Sequence, residues 1–443
     1  GRCSAHSNRG PGPLPGAFRG FICQTGSMAT PLQITAVSPD PALFDLPWQI
    51  PLEEWPEDIL AAFPRGISRH VVRFVRVSGR VLAIKEIGET VAYREYALLR
   101  DLKRLELPSV TPVGVITGRQ DPQGRPLDSV LITKHLKFSL PYRLLFSRHL
   151  APNMATRLID ALTVLLVRLH LIGFYWGDVS LSNTLFRRDA GAFSAYLVDA
   201  ETGDLHDRLT DGQREYDLEI ARVNIIGELM DLEAGGLLPE GTDPIEVGNR
   251  IAERYHGLWQ ELTASETFGG EERWRVTERI RRLNELGFDV GEMSMSTDLD
   301  GTSVVIEPKV VDAGHHHRRL MRLTGLDVQE NQARRLLNDM DTYRMANDRL
   351  GDPEEYVAHD WLTDVFEVVQ RMIPPKYRGK LEPAEMFHEI LEHRWFIAEN
   401  AGHDVPLTEA VNSYITNVLP HRPDEEAVLG LDTATLRAIS AEE

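Results

Sequence analysis

The stretch GDVSLSNTLF, residues 177–186, sets an aspartate and an asparagine five positions apart, Asp178 and Asn183, just after a strongly apolar run. Two readings fit those residue types. Short polar side chains at a helix exit cap loop backbone groups, and the same two groups can share a metal ion and a hydroxyl. Three other charged residues bear on the choice. Lys85 closes the run VLAIK, Glu95 follows in ETVAYREYALLRDLKRL, and Asp199 falls in YLVDAETG. Phosphoryl transfer needs few protein parts: a lysine on the nucleotide phosphates, a partner for that lysine, oxygen ligands for Mg²⁺ and an acceptor for the hydroxyl proton.

The elements that must position these residues are legible in the apolar periodicity. HVVRFVRV and RVLAIKEI read as two strands joined at a turn in SGR, ETVAYREYALLRDLKRL as a helix, and SVLITKHL as a buried strand. A long helix over 153–170 carries Leu158, Leu162, Leu165, Leu166 and Leu169 on one face. Strands over 184–187 and 193–199 follow, turning at RDAG. Glu95 shares a helix stripe with Ala92, Leu99 and Leu102. A carboxylate on an apolar face needs a cation, because burying it unpaired costs several kcal/mol on the order of magnitude. Lys85 is the candidate partner, with Glu89 as Glu95's rival for it.

In kinases a lysine on a strand, a glutamate on a helix, Asp-x-x-x-x-Asn in a loop and a later strand-ending aspartate stand in this order. LHLIGFYWGDVSLSNTLF resembles the corresponding helix, turn and catalytic loop of atypical bacterial protein-kinase-like proteins, close to the lipopolysaccharide (Kdo) kinase and RIO-type families. The resemblance covers roughly residues 60–235. HHHRRLMRLTGLDVQENQARRLL and KLEPAEMFHEILEHRW resemble a bacterial family in which such a domain precedes a C-terminal domain of unknown function. The fold class implied is α+β and bilobal, with a small antiparallel β lobe carrying one helix and a helical large lobe. A mostly α-helical C-terminal domain, with one β-hairpin turning at DLDG, completes it. The expected division is a disordered leader over 1–27, ahead of Met28, an N-terminal extension over 28–60, a kinase-like domain over 61–240 and the C-terminal domain over 241–443.

By resemblance, Asp178 accepts the proton of the attacking hydroxyl, Lys85 paired to Glu95 holds the nucleotide, and Asn183 with Asp199 holds Mg²⁺ or Mn²⁺. The implied cofactor is ATP, and the implied partner a hydroxyl acceptor: a small molecule, a sugar or lipid, or a protein serine or threonine. Several departures leave a second reading open, a nucleotide-binding pseudokinase or scaffold without turnover. There is no G-x-G-x-x-G; PRGISRHVVRF leaves phosphate cradling to Gly66 and to Ser68, Arg69 or His70. Trp176 and Ser180 stand where many kinases carry a histidine and a lysine, and AETG follows Asp199 in place of FG. Asp217 comes only eighteen residues after Asp199, leaving little room for a long activation segment. Its carboxylate either braces the catalytic loop or sits exposed at a helix start.

Two histidine groups invite a metal reading. In HEILEH the histidines are five apart, about 140° around a helix, so they do not converge as an i, i+4 pair does. A polar helix start followed by RRL accounts for His315–His317. The aromatic runs YVAHDWLTDVF and HRWFIAEN read as core.

Composition narrows the remaining classes. The 443 residues carry 67 acidic and 48 basic side chains, a net charge of −19, which opposes non-specific binding to nucleic acid or anionic membrane. Both cysteines, Cys3 and Cys23, lie in the leader, so the body has no disulfide, as expected in a reducing cytoplasm. No apolar run approaches the ~20 residues of a membrane helix.

Overall fold

The computed structural model describes residues 31–62, 70–147, 153–300 and 302–426. The small lobe is a six-stranded antiparallel sheet. Its strands are β1 (Gln33–Ala36), β2 (Leu60–Ala62), β3 (Val72–Val77), β4 (Arg80–Ile87), β5 (Thr111–Thr117) and β6 (Ser129–Lys134), in the order β1-β5-β6-β4-β3-β2. Ser78 and Gly79 both take positive φ between β3 and β4, the tight turn expected at SGR. Helix α1 (Glu89–Arg104) packs on one sheet face.

Residues 41–55 cover the other face. Leu43, Trp48, Leu52 and Trp55 bury against Val75, Ile84, Ile116 and Ile132. The stretch read as an N-terminal extension therefore supplies β1, the start of β2 and a layer of the lobe's core. Arg119, wholly buried, fastens it, donating to the carbonyls of Trp48 and Ile50 at 3.1 and 2.8 Å and to Glu86 at 2.5 Å.

The large lobe follows a short strand β7 (Ser139–Pro141) and helix α2 (Tyr142–Ser147). Its central helix α3 (Met154–Leu171) is followed by β8 (Phe174–Tyr175), the hairpin β9 (Thr184–Asp189) and β10 (Ala192–Leu197), and β11 (Asp204–Leu205). Helices α4 (Asp211–Ala234) and α5 (Pro244–Thr263) complete it. Val247, Ile251, Tyr255 and Leu262 of α5 join the same core as Leu158, Leu162 and Leu166 of α3. By packing, the lobe thus reaches past residue 240.

The rest comprises β12 (Glu266–Gly269), α6 (Trp274–Glu285), the hairpin β13 (Phe288–Thr297) and β14 (Ser303–Ala313), and six helices. These are α7 (His315–Thr324), α8 (Glu330–Ala346), α9 (Glu354–Trp361), α10 (Glu367–Met372), α11 (Pro383–Ala401) and α12 (Leu407–Asn417). A separate core gathers Leu337, Trp361, Phe366 and Phe387. YVAHDWLTDVF enters that core as expected. HRWFIAEN does not: Trp395 and Phe396 are 66% and 58% exposed, because they fall on the outer face of α11.

Candidate active site

Strand periodicity aims the lysine. Side chains alternate across a strand, so Leu82 and Ile84 of β4 face residues 41–55 while Lys85 and Ile87 face α1. Glu95 lies on the buried side of α1, only 1% exposed, with Ala92, Leu99 and Leu102. Lys85 Nζ stands 3.1 Å from Glu95 Oε2 and 2.8 Å from Asp199 Oδ2. Glu89, the rival, is exposed at the first turn of α1.

A third carboxylate joins them: Glu201 Oε2 is 3.1 Å from Lys85 Nζ and 3.0 Å from His70 Nε2. Glu201 escapes sequence reasoning, which stops at Asp199; its signal is the acid two residues on, in DAE. Gly66, Ser68 and Arg69 lie outside the described residues.

Burial pulls the Lys85 ammonium down, but Glu95, Asp199 and Glu201 outweigh it and the net shift is upward. Glu95 moves the other way from a usual carboxylate. Burial and the neighbouring Asp199 charge push it up to about 7, against the opposing pull of Lys85 and the Ala200 N–H. Burial also works against Glu201, yet Lys85 and His70 hold it below the ordinary value. Oxygens of Glu95, Asp199 and Glu201 lie within 4.8 Å of one another, the one such group of potential metal ligands among the described residues. Three carboxylates around one ammonium leave surplus negative charge, and hard oxygen donors suit a divalent cation such as Mg²⁺.

Asp178 and Asn183 occupy the loop between α3 and β9. Asn183 Nδ2 donates to Asp178 Oδ2 and to the Asp178 carbonyl, both at 3.0 Å. The Asn183 carbonyl accepts from Val198 N–H at 3.0 Å, fixing the loop beside the strand that leads into Asp199. Asn224 Nδ2 reaches Asp178 Oδ1 at 3.3 Å and the Val179 carbonyl at 3.0 Å.

The loop is held from below by α4. Asp217 is fully buried; it accepts from the Trp176 and Gly177 N–H groups at 2.8 and 2.7 Å and lies 3.1 Å from His170 Nε2. His170 Nδ1 in turn meets the Tyr255 hydroxyl at 2.7 Å, so the ring donates to Asp217 in the tautomer this network favours. Burial holds His170 below its ordinary pKa despite that carboxylate. Asp217 therefore braces the loop, and the alternative of an exposed helix-start acid is ruled out.

Glu228 accepts from Leu181 and Ser182 N–H, each at 2.8 Å. Asp217, Ala221, Asn224 and Glu228 recur at four- and three-residue spacing, a stripe visible in the sequence whose role as a loop-binding face depends on the fold. Trp176, wholly buried, donates its indole N–H to the Asp199 carbonyl at 2.9 Å, linking the two segments where many kinases use histidine. Gly173 completes the turn at φ +84°, where a Cβ would run into the His206 carbonyl oxygen.

The histidine groups of the C-terminal part do not converge. His393 Nε2 lies 3.0 Å from Ser413 Oγ, while Glu389 is engaged by the Tyr414 hydroxyl at 2.6 Å and by Arg422 at 2.8 Å. His315, His316 and His317 are separately engaged with Asp289, Glu330 and the Val328 carbonyl.

A sheet lobe with one helix, set on a helical lobe with this loop at their junction, defines a protein-kinase-like fold. Residues 74–224 match the lipopolysaccharide kinase (Kdo/WaaP) family, and residues 257–419 match DUF4032, a domain of unknown function. A solved structure described as WaaP in complex with acyl carrier protein is similar at 15% identity and a TM-score of 0.34, covering 57% of this chain and 99% of that one. No curated protein matches the chain. The kinase-family match implies a nucleotide, an acceptor and a divalent cation in general terms. Among the described residues no helix is long and apolar enough to cross a membrane.

Proposed function

We propose that the protein is an ATP-dependent phosphotransferase acting on a hydroxyl acceptor in the cytoplasm, with Mg²⁺ or Mn²⁺ as its metal. The observation that carries the reading is Lys85 held between Glu95 and Asp199 in the cleft. Lys85 would bind nucleotide phosphate oxygens, with Glu95 fixing its direction. Asp199 and Asn183 would hold the metal, and Glu201 lies near enough to Asp199 to add a carboxylate. A bound divalent ion would neutralise charge on the phosphates. Asp178 would orient the acceptor hydroxyl and take its proton, while Asn183 and Asn224 fix the carboxylate's rotation through hydrogen bonds. His70, just ahead of β3 and 3.0 Å from Glu201, would face the nucleotide end.

Incubation of the full chain with γ-labelled ATP, Mg²⁺ and a fractionated metabolite extract tests the reading. Label is expected on a hydroxyl-bearing acceptor, and its transfer should vanish in Asp178→Asn. Thermal stabilisation by ATP with no transfer to any acceptor, or to water, would replace this reading with a nucleotide-binding pseudokinase.

A further inference from the structure

A second polar concavity, of about 630 Å³, lies at the seam between the β9–β10 turn of the large lobe and the C-terminal helices. It shares no residue with the Lys85 cleft. Ala190, Glu285 (ion-paired to Arg281) and His316 (bonded to Glu330) line it in part, and α8 presents Asn331, Arg334, Arg335 and Asn338 to it. Their three- and four-residue spacing puts these four on one helix face. His388 of α11 closes the buried end.

The polar donors here are under-used. In so acidic a chain arginines readily find carboxylates, and nearby Arg318, Arg319 and Arg349 are paired with Asp289, Glu354 and Asp360. Neither Arg334 nor Arg335 has a carboxylate within ion-pair distance among the described residues, and Arg335 Nε is buried with no acceptor. His388 is only 6% exposed, yet neither ring nitrogen makes a hydrogen bond. Its Nε2 stands 3.4 Å from Glu392 Oε1, outside hydrogen-bond geometry. Leaving buried polar groups unpaired costs about 1–3 kcal/mol each, so such a cluster is expected to have an occupant.

We propose that this concavity binds a small molecule bearing a phosphate group, gripped by Arg334 and Arg335 with His388 at its inner end. Two guanidinium forks, each giving a parallel pair of N–H bonds, and an imidazole exceed the roughly four lone-pair sites of one carboxylate, whereas the terminal oxygens of a phosphate offer about six. The volume exceeds that of a bare ion and falls within the range of about 300–1,000 Å³ typical of small-molecule sites.

The full chain carrying Lys85→Ala, which removes the lysine of the other cleft, is titrated calorimetrically at low ionic strength with pyrophosphate, ribose 5-phosphate, citrate and ribose. Both phosphate probes should bind and ribose should not. Arg334→Gln combined with Arg335→Gln should weaken the phosphate probes by at least about tenfold, as expected for losing charge-assisted bonds. Should the double variant misfold, Arg334→Gln alone, on an exposed side chain, should still weaken them severalfold. In the parent chain, imidazole resonances assigned with His388→Gln should move during the phosphate titrations. Unchanged affinity in the arginine variants, still His388 resonances, or no binding of either phosphate probe would overturn the proposal; tighter binding of citrate would overturn its choice of phosphate.

Discussion

Two carboxylate sites of the large lobe and cleft, one at Asp217 and one at Glu95, Asp199 and Glu201, are built to opposite accounts of charge. Around Asp217 one fully buried carboxylate meets two backbone N–H groups and an imidazole. Around Lys85 three carboxylates crowd one ammonium, and Glu95 is pushed up to about 7. The first cluster is complete as it stands and serves to hold a loop. The second carries surplus acid, which a bound cation would relieve. Saturation marks a structural carboxylate; surplus marks one that awaits a ligand.

Four measurements would break or sharpen that contrast. The largest effect is expected from Asp178→Asn, which should lower phosphotransfer by about 10³-fold, the scale of losing a general base, with little change in the urea midpoint. A parallel fall in stability would mean that Asp178, like Asp217, is chiefly structural. Next, Asp217→Ala should cost about 3 kcal/mol in equilibrium urea unfolding, because it orphans three buried donors. A loss below about 1 kcal/mol would show that water or loop relaxation replaces the brace.

Third, Mg²⁺ at about a hundredfold over its dissociation constant should stabilise the fold by about 2–3 kcal/mol, seen as a raised melting temperature. Asp199→Asn should abolish that shift and Glu201→Gln should reduce it; an identical shift in both variants would move the cation elsewhere. The smallest effect concerns pH. Glu95 and Glu385 are both raised to about 7 from an ordinary 4.5. Between those values the folded chain keeps protons the unfolded chain has released, so both groups make stability fall as pH rises from about 4.5 to 7. Glu95→Gln should remove part of that slope, and Mg²⁺, by favouring the Glu95 carboxylate, should flatten it too. A slope unchanged in Glu95→Gln would assign the effect to other raised carboxylates, Glu385 among them.

The elements around the cleft were largely legible. The hairpin at SGR, the helix from Glu89, the long helix before GDVSLSN and the turn in RDAG follow from local periodicity and from residues that accept positive φ, Gly79 and Gly191 among them. Lys85 and Glu95 could be paired because an acid on an apolar stripe demands a cation. Harder to see was the role of residues 41–55, since two tryptophans in a proline-rich stretch reveal no partner until Arg119 and the sheet face are in place.

The sequence by itself determined which side chains lie on which face of each strand and helix, because those periods are set by backbone geometry. It also set a lysine, a glutamate, an Asp-x-x-x-x-Asn pair and a later aspartate in the order that kinases use. Only the tertiary structure decided that Glu201 joins Lys85, that Asp217 is a brace, and that Arg334, Arg335 and His388 line one cavity. Those outcomes depend on contacts between segments tens to more than a hundred residues apart, where burial and the sum of neighbouring charges, neither of them local, set what a side chain does.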